Sequence, residues 1–133
     1  MAEGRRACDR LAPPQRLCVS AQLLEKGEAI VFDVLNRREA ARAFALRFDG
    51  RVVAYLNRCV HVQAEMDWQP GHFLDSGREF ILCSLHGAVY EPSSGRCAGG
   101  PCGGGRLTPI EVEERDGEVF WLPTVETVPA FED

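Results

Sequence analysis

The chain has 133 residues, 45% hydrophobic and 26% charged, and its 15 basic against 20 acidic residues give a net charge of -5. That length suits one compact domain with one hydrophobic core and is too short for two independent enzyme domains. The charge balance excludes the basic face of a nucleic-acid binder, and no run of about 18 apolar residues exists to make a membrane-spanning helix.

Residues 1–17 open MAEGRRACDRLAPPQR, with Pro13-Pro14 and scattered charges, and read as a flexible leader. Its basic residues are not followed by an apolar core, so it is not a secretory signal, and a cytoplasmic location is expected. In that compartment six cysteines favour metal binding or redox work over a disulfide framework.

The domain is expected over residues 18–123. Gly27 followed by the β-prone run to Leu35 predicts a strand. Asn36 to Ala41 is charged and reads as a turn or a short helical excursion. Phe44 to Phe48 begins a second strand, Asp49-Gly50 is the strongest hairpin signal in the chain, and Arg51 to Leu56 is the returning strand. Residues 57 to about 105 differ in composition and read as an inserted metal-binding subdomain, within which Phe80-Ile81-Leu82 is a short buried strand. Gly95 to Gly105 is Gly-rich and is expected to be loop. Arg106 to Glu114 and Glu118 to Leu122 read as two strands joined by Arg115-Asp116-Gly117, and residues 124–133 as a tail with little regular structure. No repeat and no long amphipathic helix is present, so the chain is expected to be all-β.

Two short segments carry the chemistry. Cys59-Val60-His61 and Cys83-Ser84-Leu85-His86 give Cys-x-His, 21 intervening residues, then Cys-x-x-His. In a [2Fe–2S] cluster one iron can take two thiolates and the other two imidazoles, with sulfides bridging them. Each half-motif then supplies one ligand to each iron from a tight turn, and the two turns must face one another. Neutral imidazoles in place of two thiolates remove negative charge and raise the reduction potential relative to an all-cysteine cluster. A structural zinc site also uses two Cys and two His, but its usual order is Cys-x-x-Cys before the histidines.

With Asn57-Arg58-Cys59-Val60-His61, Cys83-Ser84-Leu85-His86-Gly87-Ala88-Val89-Tyr90-Glu91-Pro92, Gly95-Arg96-Cys97 and Gly100-Pro101-Cys102, the chain closely resembles the Rieske family, in particular bacterial Rieske ferredoxins and the nitrite-reductase small-subunit type. The resemblance covers about residues 18–123. It implies a Rieske-type fold of three antiparallel sheets, a small cluster-binding subdomain inserted in a β base, and one [2Fe–2S] cluster per chain. It also implies that both imidazoles, His61 and His86, lie near the surface, where they meet an electron partner.

The chain departs from the respiratory members of that family. Their two extra cysteines correspond to Ala64 and Leu85, so that bridge is excluded, and their serine after His-Gly is Ala88. Fewer donors to sulfur leave the reduced cluster less stabilised, which places the expected potential toward the low end of the range, roughly -150 mV. Tyr90 is either a remaining donor or a core aromatic. Cys97 and Cys102, with four residues between them, are small buried residues, a disulfide or a redox pair, with burial favoured. Gly99, Gly100 and Pro101 are expected to let their loop pass close over the cluster.

Cys8 and Cys18 belong to no motif. With His61 and His86 used, His72 alone is left, which is too few for a mononuclear iron site of two histidines and a carboxylate. The glycines form no dinucleotide or phosphate-binding motif, and Trp68 and Trp121 read as packing residues. The functional expectation is a one-electron carrier, non-catalytic by itself, between a flavoprotein reductase and a terminal oxygenase or reductase, with no nucleic acid or membrane partner. The alternatives are a Rieske subunit of a larger nitrite-reductase-like complex and a zinc-stabilised binding module.

Overall fold

The structure is a computed structural model and describes residues 13–58, 71–83, 87–100, 105–124 and 127–129. In chain order its strands are β1 (Gln15–Val19), β2 (Ile30–Asn36), β3 (Glu39–Phe48), β4 (Arg51–Leu56), β5 (Ile81–Leu82), β6 (Val89–Tyr90), β7 (Cys97–Gly99), β8 (Val112–Arg115), β9 (Glu118–Trp121) and β10 (Thr127–Pro129). A 3-10 turn at Ser20–Gln22 follows β1. The chain is all-β, in three antiparallel sheets ordered β1-β9-β8, β10-β2-β3-β4 and β5-β6-β7. Among the described residues no helix is long and apolar enough to cross a membrane.

Three two-residue turns shape the hairpins of the base, each with both residues at positive φ: Arg37-Arg38 (52° and 72°), Asp49-Gly50 (55° and 80°) and Asp116-Gly117 (53° and 77°). This conformation matches the twist of the flanking strands, and Asp-Gly adopts it at little steric cost. The strand after Arg37-Arg38 therefore starts at Glu39, and the helical excursion considered for 36–41 is absent. Two arginines in the left-handed region carry no turn signal, because the register of β2 and β3 imposes it: Ile30 pairs with Ala45 and Asn36 with Glu39.

The alternation along β3 and β4 decides which residues point where. Ala43, Ala45, Ala54 and Leu56 fall in one buried cluster with Val34, Ile110 and Trp121. Their neighbours Phe44, Leu46, Phe48 and Tyr55 fall in another with Phe73, Ile81, Cys83, Ala88, Tyr90 and Leu107. Side chains of a strand alternate between faces, and these central strands are covered on both. One face meets the β1-β9-β8 sheet and the other meets the subdomain formed by β5-β6-β7. Trp121 packs on Phe32 with ring centroids 5.4 Å apart, in agreement with a packing role; Trp68 lies outside the described residues.

Several elements differ from the sequence-based expectation. Residue 17 is inside β1, which pairs with β9, so ordered structure begins upstream of Cys18. Gly95 to Gly105 is not all loop, because β7 pairs with β6 there. The strand expected from Arg106 begins only at Val112, and before it Arg106 and Pro109 make isolated bridges to Arg96 and Tyr55. The tail forms β10, with Thr127, Val128 and Pro129 opposite Asn36, Leu35 and Val34. Three residues ending in proline carry almost no strand pattern; the free edge of β2 supplies the pairing, and proline is tolerated at an edge.

Candidate metal centre

Of the four expected ligands, Cys83 lies among the described residues, and Cys59, His61 and His86 lie outside them. Cys83 directly follows β5 and is a wholly buried thiol. Its N–H donates to the Ala88 carbonyl at 2.8 Å, and the Gly87 N–H donates back to the Cys83 carbonyl at 3.0 Å. Cys83 is thus tied to Gly87 and Ala88, the described ends of the second ligand segment, with Gly87 at φ 79°.

The strand entering this segment is fixed from outside. The Leu82 N–H donates to the Phe73 carbonyl at 2.7 Å, and Leu74 bridges Ile81. The hairpin before it turns at Asp75, which accepts from Glu79 N–H at 3.0 Å and Phe80 N–H at 3.3 Å through Oδ1. The strand leaving the segment, β6, pairs with both β5 and β7. Tyr90 is fully buried in the same apolar cluster as Cys83 and Ala88.

The first ligand segment leaves β4. Leu56 N–H donates to Thr108 O at 2.9 Å and Asn57 N–H to Arg42 O at 2.8 Å, and Asn57 is buried at 4% exposure. The backbone is therefore held to β3, through Arg42, and to the segment before β8, through Thr108, immediately before Arg58.

The glycine-rich segment closes on the second turn. A Cβ on Gly100, at φ 82°, would stand 2.8 Å from Ala88 Cα and 2.8 Å from Gly87 O. Backbone contact that close requires glycine, so this segment lies directly over the Cys83–Ala88 turn; Pro101 and Cys102 fall outside the described residues. Cys97 is half-buried and disulfide-bonded, so plain burial of a thiol, the favoured reading, is not what the structure has. Its bonding partner lies outside the described residues.

The remaining residues singled out in the sequence sit elsewhere. Cys18 is buried beside Leu23 and Val119, and burial pushes its thiol above the ordinary range. His72 lines a cleft of about 540 Å³ with Lys26, Glu28, Asp75 and Arg78.

The described residues thus bring together a buried Cys83 thiol, the backbone of Gly100 against Gly87 and Ala88, and a β-subdomain docked to a β base. The model of the Rieske [2Fe–2S] domain family matches residues 14–132. The chain belongs to the Rieske [2Fe–2S] domain family.

This Rieske chain is similar to the ferredoxin of carbazole 1,9a-dioxygenase from Nocardioides aromaticivorans IC177, at 21% identity and a TM-score of 0.65, covering 85% of this chain and 100% of that one. A complex of reduced oxygenase and oxidized ferredoxin in carbazole 1,9a-dioxygenase matches at 25% identity and a TM-score of 0.63, over 82% and 92% of the two chains. An oxygenase variant in complex with ferredoxin from carbazole 1,9a-dioxygenase matches at 20% identity and a TM-score of 0.65, over 85% of this chain and 29% of that one. No curated protein matches the chain.

A Rieske domain implies a [2Fe–2S] cluster, and the described residues fit one. The Cys83 thiol is screened from water by Ile81, Ala88, Tyr90 and Leu107, each fully buried. A thiolate there is costly unless it bonds a metal.

Proposed function

We propose that the protein is a one-electron carrier whose [2Fe–2S] cluster is held by Cys59, His61, Cys83 and His86. When bound, the cluster accepts and releases a single electron. The chain's own residues supply the rest. Cys83 enters from a strand hydrogen-bonded to Phe73, Cys59 follows a backbone pinned to Arg42 and Thr108, and Gly100 brings the third segment down on Gly87 and Ala88. Cys59 and Cys83 would hold one iron, and His61 and His86 the other.

The observation that carries this reading is the buried Cys83 tied to Ala88, with Gly100 against Ala88, in a chain whose fold takes in a whole ferredoxin chain. The ferredoxin that matches at 25% identity is in a complex with an oxygenase, which supports a terminal oxygenase or reductase as acceptor here; a flavoprotein reductase as donor is the chemical complement of that role and is part of the proposal. In a nitrite-reductase-like complex the same cluster would stay with one large subunit, and in a binding module zinc would take its place.

The test is reduction of the purified protein by a flavoprotein ferredoxin reductase and NADH, followed by bleaching of the visible absorption and reoxidation by an oxygenase component. Turnover in this relay supports a carrier. Reduction by dithionite but by no diffusing reductase, with tight co-purification of a large subunit, favours the subunit reading. A colourless zinc protein overturns both.

A further inference from the structure

The two ligand-bearing segments come from different parts of the chain, and Tyr55 connects their surroundings: it lies on the strand that leads into the first and touches the turn beyond the second. It lies on β4, four positions before Cys59. Its hydroxyl donates to the Pro92 carbonyl at 2.7 Å in a buried hydrogen bond. Pro92 stands in the turn between β6 and β7, just past the second ligand segment. That turn is closed by the Gly95 N–H on Glu91 O at 2.7 Å. The tyrosine ring presses on the same turn: a Cβ on Gly95, at φ 78°, would stand 2.7 Å from Tyr55 Cε1. Gly95 is therefore glycine because the ring occupies the space of a side chain.

The ring also connects to the other strand of the second segment. Tyr55 and Phe44 have centroids 6.1 Å apart, and Phe44 stacks on Phe73 at 3.8 Å and 10°. The Phe73 carbonyl in turn accepts the Leu82 N–H next to Cys83. The base sheet thus grips the second segment at both ends, through Phe73 at its entry and Tyr55 beyond its exit. The phenol is a constant donor, since burial pushes its pKa up to about 12.

We propose that Tyr55 is a positioning residue for the centre: its hydroxyl and ring lock the Pro92–Gly95 turn to β4 and so fix the separation of the two ligand segments. This rests on the carrier reading and adds to it a residue that touches neither iron nor ligand. Phenylalanine at 55 would keep the packing and leave the Pro92 carbonyl without its donor. A buried acceptor left in that state costs more than the hydrogen bond itself contributed, and the strain relaxes by movement of the turn relative to β4.

The test compares full-length cluster-bound wild type, Tyr55→Phe and Gly95→Ala, which keeps the hydroxyl but displaces the ring. Thr127→Val serves as control; it removes a hydrogen bond to Asn36 in the β10-β2 pair, on another part of the fold. The readouts are the g values and midpoint potential of the reduced protein, the half-life of the cluster against an iron chelator, and the thermal midpoint. Tyr55→Phe is expected to lose iron roughly fivefold faster or more, the factor corresponding to one orphaned buried acceptor, with altered g values and potential. Gly95→Ala shifts in the same sense. Thr127→Val lowers the thermal midpoint and leaves g values and potential at wild type. If both Tyr55→Phe and Gly95→Ala keep wild-type half-life, g values and potential while the wild type carries the cluster, the inference fails and the carrier reading stands. If the wild type binds no such cluster, the reading fails and takes the inference with it.

Discussion

Gly100 and Ala88 are in backbone contact: a Cβ on Gly100 would stand 2.8 Å from Ala88 Cα, and the Gly100 φ of 82° is itself left-handed. Gly100→Ala therefore meets two penalties, a strained backbone and a clash with main chain that has no rotamer to yield. The expected cost is about 1–3 kcal/mol, with the third segment lifted from the Cys83–Ala88 turn. Decay of visible absorbance in air is expected to accelerate, and a wild-type decay rate in the variant would show that the contact does not protect the centre.

Ala88 is fully buried next to the turn that carries Cys83. Ala88→Ser places a hydroxyl where the respiratory relatives have one. A donor to a cluster sulfur favours the reduced, more negative state. A differential of about 1.4 kcal/mol corresponds to roughly 60 mV for a one-electron couple. The wild type is expected near -150 mV, roughly the low end for Rieske centres, and the variant above it. Redox titration of both proteins checks the shift, and a lower potential in Ala88→Ser would contradict the account.

Arg47 ties three parts of the base together. Its guanidinium donates to Leu23 O at 2.8 Å, to Ser20 O at 3.2 Å and to both Glu114 carboxylate oxygens at 2.7 and 3.2 Å. Arg47→Met leaves the Leu23 and Ser20 carbonyls without this partner and removes the ion pair to the exposed Glu114 carboxylate, at an expected cost of about 1–2 kcal/mol. Because these contacts lie on the β base, urea unfolding is expected to shift while the midpoint potential holds.

The same pair sets a pH dependence. The Arg47 hydrogen bond holds the Glu114 carboxyl below its ordinary value of 4.5. A carboxyl depressed in the folded state contributes stability that is fully present above the unfolded value and is lost as pH falls through the folded one. Stability is therefore expected to decline from about pH 4.5 downward, and Glu114→Gln to remove part of that slope. Urea midpoints measured across this range in both proteins give the comparison.

The parts of the fold legible in the sequence are those with local chemistry of their own. Asp49-Gly50 and Asp116-Gly117 announce their turns, and the alternating runs of β3 and β4 announce strands. Arg37-Arg38 turns because β2 and β3 are already in register, and β10 is a strand because β2 has an open edge. Such causes are tertiary and leave no trace in three or four residues. In the site, the close backbone approach of Gly100 was readable from the glycine-rich composition. Tyr55 was not, because an alternating strand residue looks the same whether it fills a core or clamps a turn 37 positions away. The disulfide at Cys97 was one reading among three, since spacing alone does not bring two sulfurs together.

The central claim, a [2Fe–2S] cluster on two cysteines and two histidines, is tested most directly by electron paramagnetic resonance of anaerobically purified, dithionite-reduced protein. The account predicts the Rieske signal, with its low average g value, at one cluster per chain. A protein containing iron and sulfide in full but without that signal, or containing zinc in their place, would contradict it.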